Sequence, residues 1–271
     1  MRKHLTTILL ILVLVVGLGL VLYPTLSDYY NSFHRTVAIS SYSTKIDEMD
    51  ESVFDPLWKS ANEYNEYLKT KDMRFYLTEE ERDYYNTLLD ATGLGIIGYI
   101  DIPSLNVNLP IYHGTSVDVL QIAIGHIEGS SLPTGEPGTH TALSGHRGLP
   151  SAMLFTNLDK LREGDIFTIH VLNREFTYEI DKITIVLPKD MSELALVPGE
   201  NYCTLTTCTP YGINSHRLLV RGRRVATPEK EVIVRVASDA SIVSYFTVAL
   251  VMGAILIAIV FIYSIFCPRR E

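Results

Sequence analysis

Two stretches of the chain show no polar periodicity. Leu5–Tyr23 and Ile242–Phe266, 19 and 25 residues long, contain no charged side chain. Each is long enough to cross a hydrocarbon layer of ~30 Å at ~1.5 Å per residue. Between them the pattern changes twice. Across residues 24–92, "ESVFDPLWKSANEYNEYLKT" and "TEEERDYYNTLLDATG" carry apolar and aromatic positions three and four apart between charges, which predicts helices. Thr78 before Glu79, Glu80 and Glu81 predicts an N-cap with an acidic first turn. Gly93 and Gly95 close the helical part. From Ile96 the runs become short, β-branched and aromatic, punctuated by Gly, Pro, Asn and Asp: "IIGYIDIP", "THTALSGH", "DIFTIHVLN", "NYCTLTTC", "HRLLVRGRR". That spacing predicts a mostly β fold, a barrel or a sandwich. "TSVDVLQIAIGHIEG" and "SAMLFTNLDKLREGD" read as short helical or turn insertions. There is no internal repeat.

Charge orients this arrangement. Arg2 and Lys3 precede the first apolar stretch, and Arg269 and Arg270 follow the second. Positive residues mark the cytoplasmic side, so both termini are expected inside and residues 24–240 outside. A cleaved signal peptide is the alternative for the first stretch. Its run exceeds the usual ~7–15 apolar residues, and "VLYPTLSDYY" has no small-x-small site, which favours an uncleaved anchor. A removable lipid-anchor tail would end in apolar residues, not in "CPRRE". The expected organisation is a cytoplasmic tip and anchor (1–23), a helical segment (24–92), a β domain (93–225), a linker (226–240) and a second transmembrane helix with a basic tail (241–271). The chain carries −8; the cytoplasmic ends hold four positive charges and Glu271, so the outside portion carries −11. Such an acidic domain is a poor partner for nucleic acid.

Two of the three cysteines fall in "NYCTLTTCTPYGINSHRLLVRG". Cys203 and Cys208 lie five apart on one predicted strand, so their side chains point to opposite faces, ~17 Å apart along it. A disulfide needs Cα atoms within ~7 Å. Cys203, mid-strand among apolar residues, reads as core. Cys208 ends the β-run beside a Thr-Pro-Tyr-Gly turn, where a scaffold presents chemistry. A nucleophilic thiol needs a base or an electropositive setting, and a donor for the oxyanion it creates. His146, bracketed by Gly145 and Gly148 at a strand end, and His216, eight residues after Cys208, are both candidate bases by spacing. Arg217, Arg221 and Arg223 share strand parity, so alternation does not separate them as donors. A hairpin after Cys208 would return Arg217 nearest the thiol.

These motifs resemble the sortases, the cysteine transpeptidases of Gram-positive cell surfaces. "TLTTC" at Thr204–Cys208 is similar to their TLxTC signature, "LSGHRG" to the histidine loop and "SHRLLVRG" to the arginine strand. The likeness covers roughly 93–225 and implies a closed β-barrel of about eight strands. It also implies His146 as catalytic histidine, Cys208 as nucleophile, Arg217 as oxyanion or substrate donor, and Ser144 and Thr207 beside the substrate. The helical segment and second membrane helix further resemble the pilus-assembling class C. That class implies a pilin substrate with an LPxTG-like sorting signal, a lysine acceptor, and no cofactor or metal. It also carries an Asp-Pro-aromatic lid. Here "FDPLW" supplies Asp55, Pro56 and Trp58 as possible lid residues, out of the usual order; the competing reading is a helix start with Asp55 as N-cap and Pro56 next. The usual lid position holds "TKDMRFYLTEEE", without Asp-Pro. A sorting-signal hydrolase, a cell-wall-anchoring sortase and a non-enzymatic pilus accessory protein are the alternatives.

Overall fold

The computed structural model describes residues 2–227 and, beyond them, Val251, Gly253, Ala254 and Ala258. The second apolar stretch lies almost wholly outside the described residues, as do most of the 226–240 linker and Cys267. Among the described residues one helix is long and apolar enough to cross a membrane, with mean hydropathy 1.6. It belongs to α1 (Arg2–Asp47). The compact unit that carries the chemistry is Tyr23–Pro228.

That unit is built on eight strands: β1 (Ile96–Ile102), β2 (Val107–His113), β3 (Ile124–His126), β4 (Thr139–Ser144), β5 (Ile166–Val171), β6 (Arg174–Val186), β7 (Asn201–Thr209) and β8 (His216–Val225). They close into a barrel in the order β1-β2-β3-β4-β7-β8-β6-β5. Closure leaves no unpaired edge, which an isolated sheet this rich in Ile, Val and Thr would expose. The strand alternation turns Ile100, Ile169, Leu143, Leu205 and Val220 inward, each fully buried. Two pairings are parallel, β2 with β3 and β4 with β7. The second sets β4 and β7 with their C-terminal ends at the same rim.

Two further helices lean on the barrel, α2 (Phe54–Thr70) and α3 (Glu79–Thr87). The short α4 (Val117–Ile122) joins β2 to β3. The buried positions of α2, among them Phe54, Trp58, Ala61 and Leu68, recur at helical spacing and form one stripe. The start of α2 differs from the expectation. Asp50 caps a single 3-10 turn, Glu51–Val53, which runs straight into the helix. Val53 thus precedes α2 at the cap position, and Asp55 and Pro56 are its second and third residues. In α3 the expected cap is present as a reciprocal box: Thr78 Oγ1 accepts from Glu81 N–H at 3.2 Å, and Glu81 accepts from Thr78 N–H at 2.6 Å. Fully buried Tyr85 then ties α3 to the barrel. Its hydroxyl accepts from Gly114 N–H at 3.0 Å and lies 2.9 Å from His126 Nδ1.

Candidate active site at the β4 and β7 rim

Alternation along the β7–β8 hairpin sorts its residues onto two faces. Cys203, Leu205 and Thr207 point into the barrel with Leu218, Val220 and Gly222; Thr204, Thr206 and Cys208 point outward with Arg221, Leu219 and Arg217. The inner face is tightly filled. A Cβ on Gly222 would lie 2.7 Å from the Phe167 ring. Burial pushes the Cys203 thiol well above its ordinary pKa, so it is an inert core residue. Cys208 is half-buried and faces Arg217 directly in the register. Residues so paired have Cβ atoms ~4.5–5.5 Å apart on the same face.

The histidine comes from the neighbouring strand. β4 runs parallel to β7 with Ser144 beside Thr206. One step on, Gly145 N–H donates to Thr206 O at 3.1 Å, and Thr207 Oγ1 donates to Gly145 O at 2.7 Å. His146 and Cys208 each follow by one residue the Gly145 and Thr207 pair joined here. Gly145 is required at this point: a Cβ there would lie 2.7 Å from the Phe155 ring and 2.9 Å from Ile124. The backbone just beyond is held as well, because Phe155 N–H donates to His146 O at 3.2 Å.

The other histidines in the barrel have different work. His126 and His140 are buried and pushed down to about 4 by desolvation. His140 sits between Thr204 Oγ1 at 2.7 Å and Ala195 O at 3.0 Å. His113, lowered by burial, bonds Leu88 O at 2.7 Å. His170 stacks on Tyr99 with ring centroids 4.3 Å apart. His216 pairs with Thr209, one residue out of phase with Cys208, and so faces the opposite side of the hairpin.

The arginines that share parity differ in their partners. Arg221 is bidentate to Asp181 at 2.9 and 2.8 Å and stacks on Tyr202. Asp181 sits at the register shift between Ile180 and Lys182 of β6. Arg223 is bidentate to Glu200 at 2.8 and 3.2 Å. Arg217 contacts only the carbonyls of Asn214 and His216, at 3.3 and 3.1 Å, and makes no ion pair among the described residues. Of the three, it is the one whose charge no carboxylate offsets, and it stands opposite the thiol. Arg147, next to the histidine, is committed elsewhere: it pairs with Asp159 at 2.6 Å and donates to Thr209 Oγ1 at 3.2 Å. It joins the residue after the histidine to the residue after the cysteine, a link that spacing alone does not reveal.

Two expectations change. Thr207 is buried on the inner face, and its hydroxyl is committed to Gly145 O at the start of the histidine loop. Ser144, half-buried at the end of β4, shares the outer face with Cys208. The Asp55, Pro56 and Trp58 group lies elsewhere. Trp58 is buried against Phe176 near the start of β6, and its indole N–H donates to Asn173 at 3.0 Å. Arg217 pairs with Val186 at the other end of that strand. The two points are ten residues apart along β6, a path of about 33 Å. Asp55 and Pro56 are exposed. They form a helix start remote from the thiol. The segment after α2 behaves differently. Asp72–Tyr76 borders a cavity of about 590 Å³ with Pro188, Lys189 and Met191, just past the end of β6, and buried Arg74 fastens it to Gly129 O and Leu194 O. Among the described residues no cluster of His, Cys, Asp or Glu is arranged to hold a metal ion.

Comparison with known proteins gives the same outline. The family model for the sortase domain matches residues 100–225. Sortase D of Bacillus subtilis is 35% identical over 131 residues, covering 47% of this chain and 63% of the relative. The chain therefore spans somewhat under two thirds of that curated protein. The crystal structure of sortase C1 from Streptococcus agalactiae is 51% identical, covering 70% of this chain and 98% of that one, with a TM-score of 0.68. Clostridium perfringens sortase C, solved with the C-terminal cell wall sorting motif, is 42% identical over 71% of this chain and 100% of its own, with a TM-score of 0.62. With the barrel, the order of its motifs and these likenesses in agreement, the chain belongs to the sortase family, and both solved structures compared above are sortases C.

Proposed function

We propose that the protein is a membrane-anchored cysteine transpeptidase that cleaves an LPxTG-like sorting signal between Thr and Gly and joins the acyl part to an amine, a lysine of a pilin subunit. The observation that carries this reading is the facing of Cys208 by Arg217, beside the strand that leads into His146. The Cys208 thiolate adds to the Thr carbonyl carbon, and Arg217 donates to the oxyanion that forms. Collapse breaks the C–N bond while His146 gives its proton to the departing glycine nitrogen. A thioester remains on Cys208. The incoming amine attacks it, His146 takes the amine's proton, and Cys208 leaves as thiolate, closing the isopeptide bond. Anchoring through α1 keeps the site near substrates that emerge from the same membrane, raising their effective concentration.

The test is intact mass spectrometry of the full chain in detergent with an LPxTG-type peptide, with and without a lysine-bearing acceptor. An adduct on the wild type, absent from Cys208→Ala and converted to isopeptide product only when acceptor is present, is the expected outcome. Equal loss of the adduct without acceptor would make the protein a hydrolase. No adduct across a panel of signal peptides would sink the enzyme reading.

A further inference from the structure

The loop that follows His146 is fastened at two levels. Its base is closed on itself: Phe155 N–H donates to His146 O, and Gly148 N–H donates to Thr156 Oγ1 at 3.1 Å. Its tip, Ser151–Met153, is bound to α1. Asn31 Nδ2 donates to Ser151 O at 2.8 Å, and Met153 N–H donates to Asp28 Oδ1 at 2.9 Å. These bonds cross 120 and 125 residues of sequence. Arg35, buried and one helical step from Asn31, places its guanidinium 3.4 Å from the same Asp28 oxygen and holds that carboxylate in place. Asp28 and Asn31 lie three apart, so one face of α1 presents both groups to the loop.

We propose that Asp28 and Asn31, just past the apolar stretch of α1, are positioning residues for the reaction: they fix the Gly148–Thr156 loop and through it the place of His146 beside Cys208. This rests on the role assigned above to His146. The physical reason is the way the loop is built. Its tip forms one isolated bridge, Leu149 with Ala152; Ala152, Leu154 and Phe155 are buried in the core, whereas Met153 is 47% exposed, and the backbone of Ser151 and Met153 on that exposed side is held by α1. The two α1 bonds supply the outer anchor, and the Phe155 bond passes that restraint to the histidine backbone. Proton delivery to a leaving nitrogen demands hydrogen-bond reach, so a small shift of the imidazole lowers turnover while leaving the outer face of β7 and β8 intact. The membrane-proximal helix is then part of the catalytic apparatus as well as a tether.

The experiment uses the full chain in detergent, with kcat and KM for an LPxTG-type peptide and a lysine-bearing acceptor, beside thermal midpoints. Variants are Asp28→Ala, Asn31→Ala, their double, Asn31→Gln, which keeps the donor, Asn31→Asp, which sets a carboxylate against a carbonyl, and Thr36→Ala as a control on the same helix. The expected result is a fall in kcat of about tenfold or more in the double variant with KM within about twofold. Asn31→Gln should recover much of the loss and Asn31→Asp none, with thermal midpoints near the wild type. Wild-type kcat in the double variant would overturn the inference while leaving the proposed function standing. A kcat loss that merely follows a lowered thermal midpoint, or is the same in Asn31→Gln and Asn31→Asp, would overturn it too. A wild type that forms no adduct on Cys208 would remove both.

Discussion

Three of the four arginines in β8 show how position and pairing, not residue type, assign chemistry. Arg221 and Arg223 are bidentate to Asp181 and Glu200, whereas Arg217 meets two backbone carbonyls and faces Cys208. A planar fork with several donors suits a developing oxyanion, and an ammonium on a flexible stem does not reproduce it. Arg217→Lys is therefore expected to lower kcat by about a hundredfold or more, as loss of an oxyanion donor does. Arg221→Lys should change kcat little, and steady-state kinetics of the two variants side by side decide the point. Thr207 makes a different prediction. Thr207→Val removes the hydroxyl that binds Gly145 O and leaves a buried carbonyl short of its donor, at a cost of about 1–3 kcal/mol in stability. Thr207→Ser keeps the bond and should restore both the urea midpoint and turnover; a Val variant as active and stable as the wild type would refute the positioning role.

At the scale of elements, the two ends of the barrel do separate jobs. One rim gathers the ends of β4 and β7 and the start of β8; near the other, Trp58 of α2 packs against Phe176. The Trp58 bond to Asn173 is structural, so Trp58→Phe should lower stability by about 1–2 kcal/mol and leave the rate of thioester formation unchanged. Asp55→Ala, at an exposed first-turn position, should change neither. Faster thioester formation in either variant, read by rapid quench and intact mass, would restore a lid role to this segment. Much of this level was legible from the chain. The N-cap at Thr78, the strand runs from Ile96 onward and the turn after Cys208 all follow from local rules. The cap of α2 falls at Val53, two residues before Asp55, because Asp50 caps a preceding 3-10 turn that local pattern does not foretell.

For the molecule as a whole, two buried histidines away from the site tie stability to pH. Burial pushes the pKa of His126 and of His140 down to about 4, below the ~6.5 of an unfolded chain. Between those values the unfolded chain binds more protons than the folded one, so stability rises with pH. Their contribution is complete above about pH 6.5 and declines as the pH falls toward 4, by about 1.4 kcal/mol per pH unit for each residue. Urea midpoints should drop between about pH 6.5 and pH 4.5, and His140→Gln should flatten that dependence, since Gln does not titrate. An unchanged slope would mean that other groups dominate.

The chain alone determined the apolar N-terminal segment, the mostly β class and the chemical candidates, because periodicity, turn residues and the reactive thiol motif are written over a few consecutive positions. It left His146 and His216 equal by spacing and three arginines equal by parity. The motif resemblance singled out His146 and Arg217, and only the tertiary structure supplied their surroundings: β4 lies parallel to β7, residues 62 apart meet through a Thr207 to Gly145 bond, and His216 falls out of phase with Cys208. Acids from β6 and the loop before β7 offset Arg221 and Arg223 and leave Arg217 free of a carboxylate among the described residues. The attachment of the histidine loop to α1 likewise joins residues more than a hundred positions apart. Such contacts depend on how the barrel closes, and closure is a property of all eight strands together rather than of any local pattern.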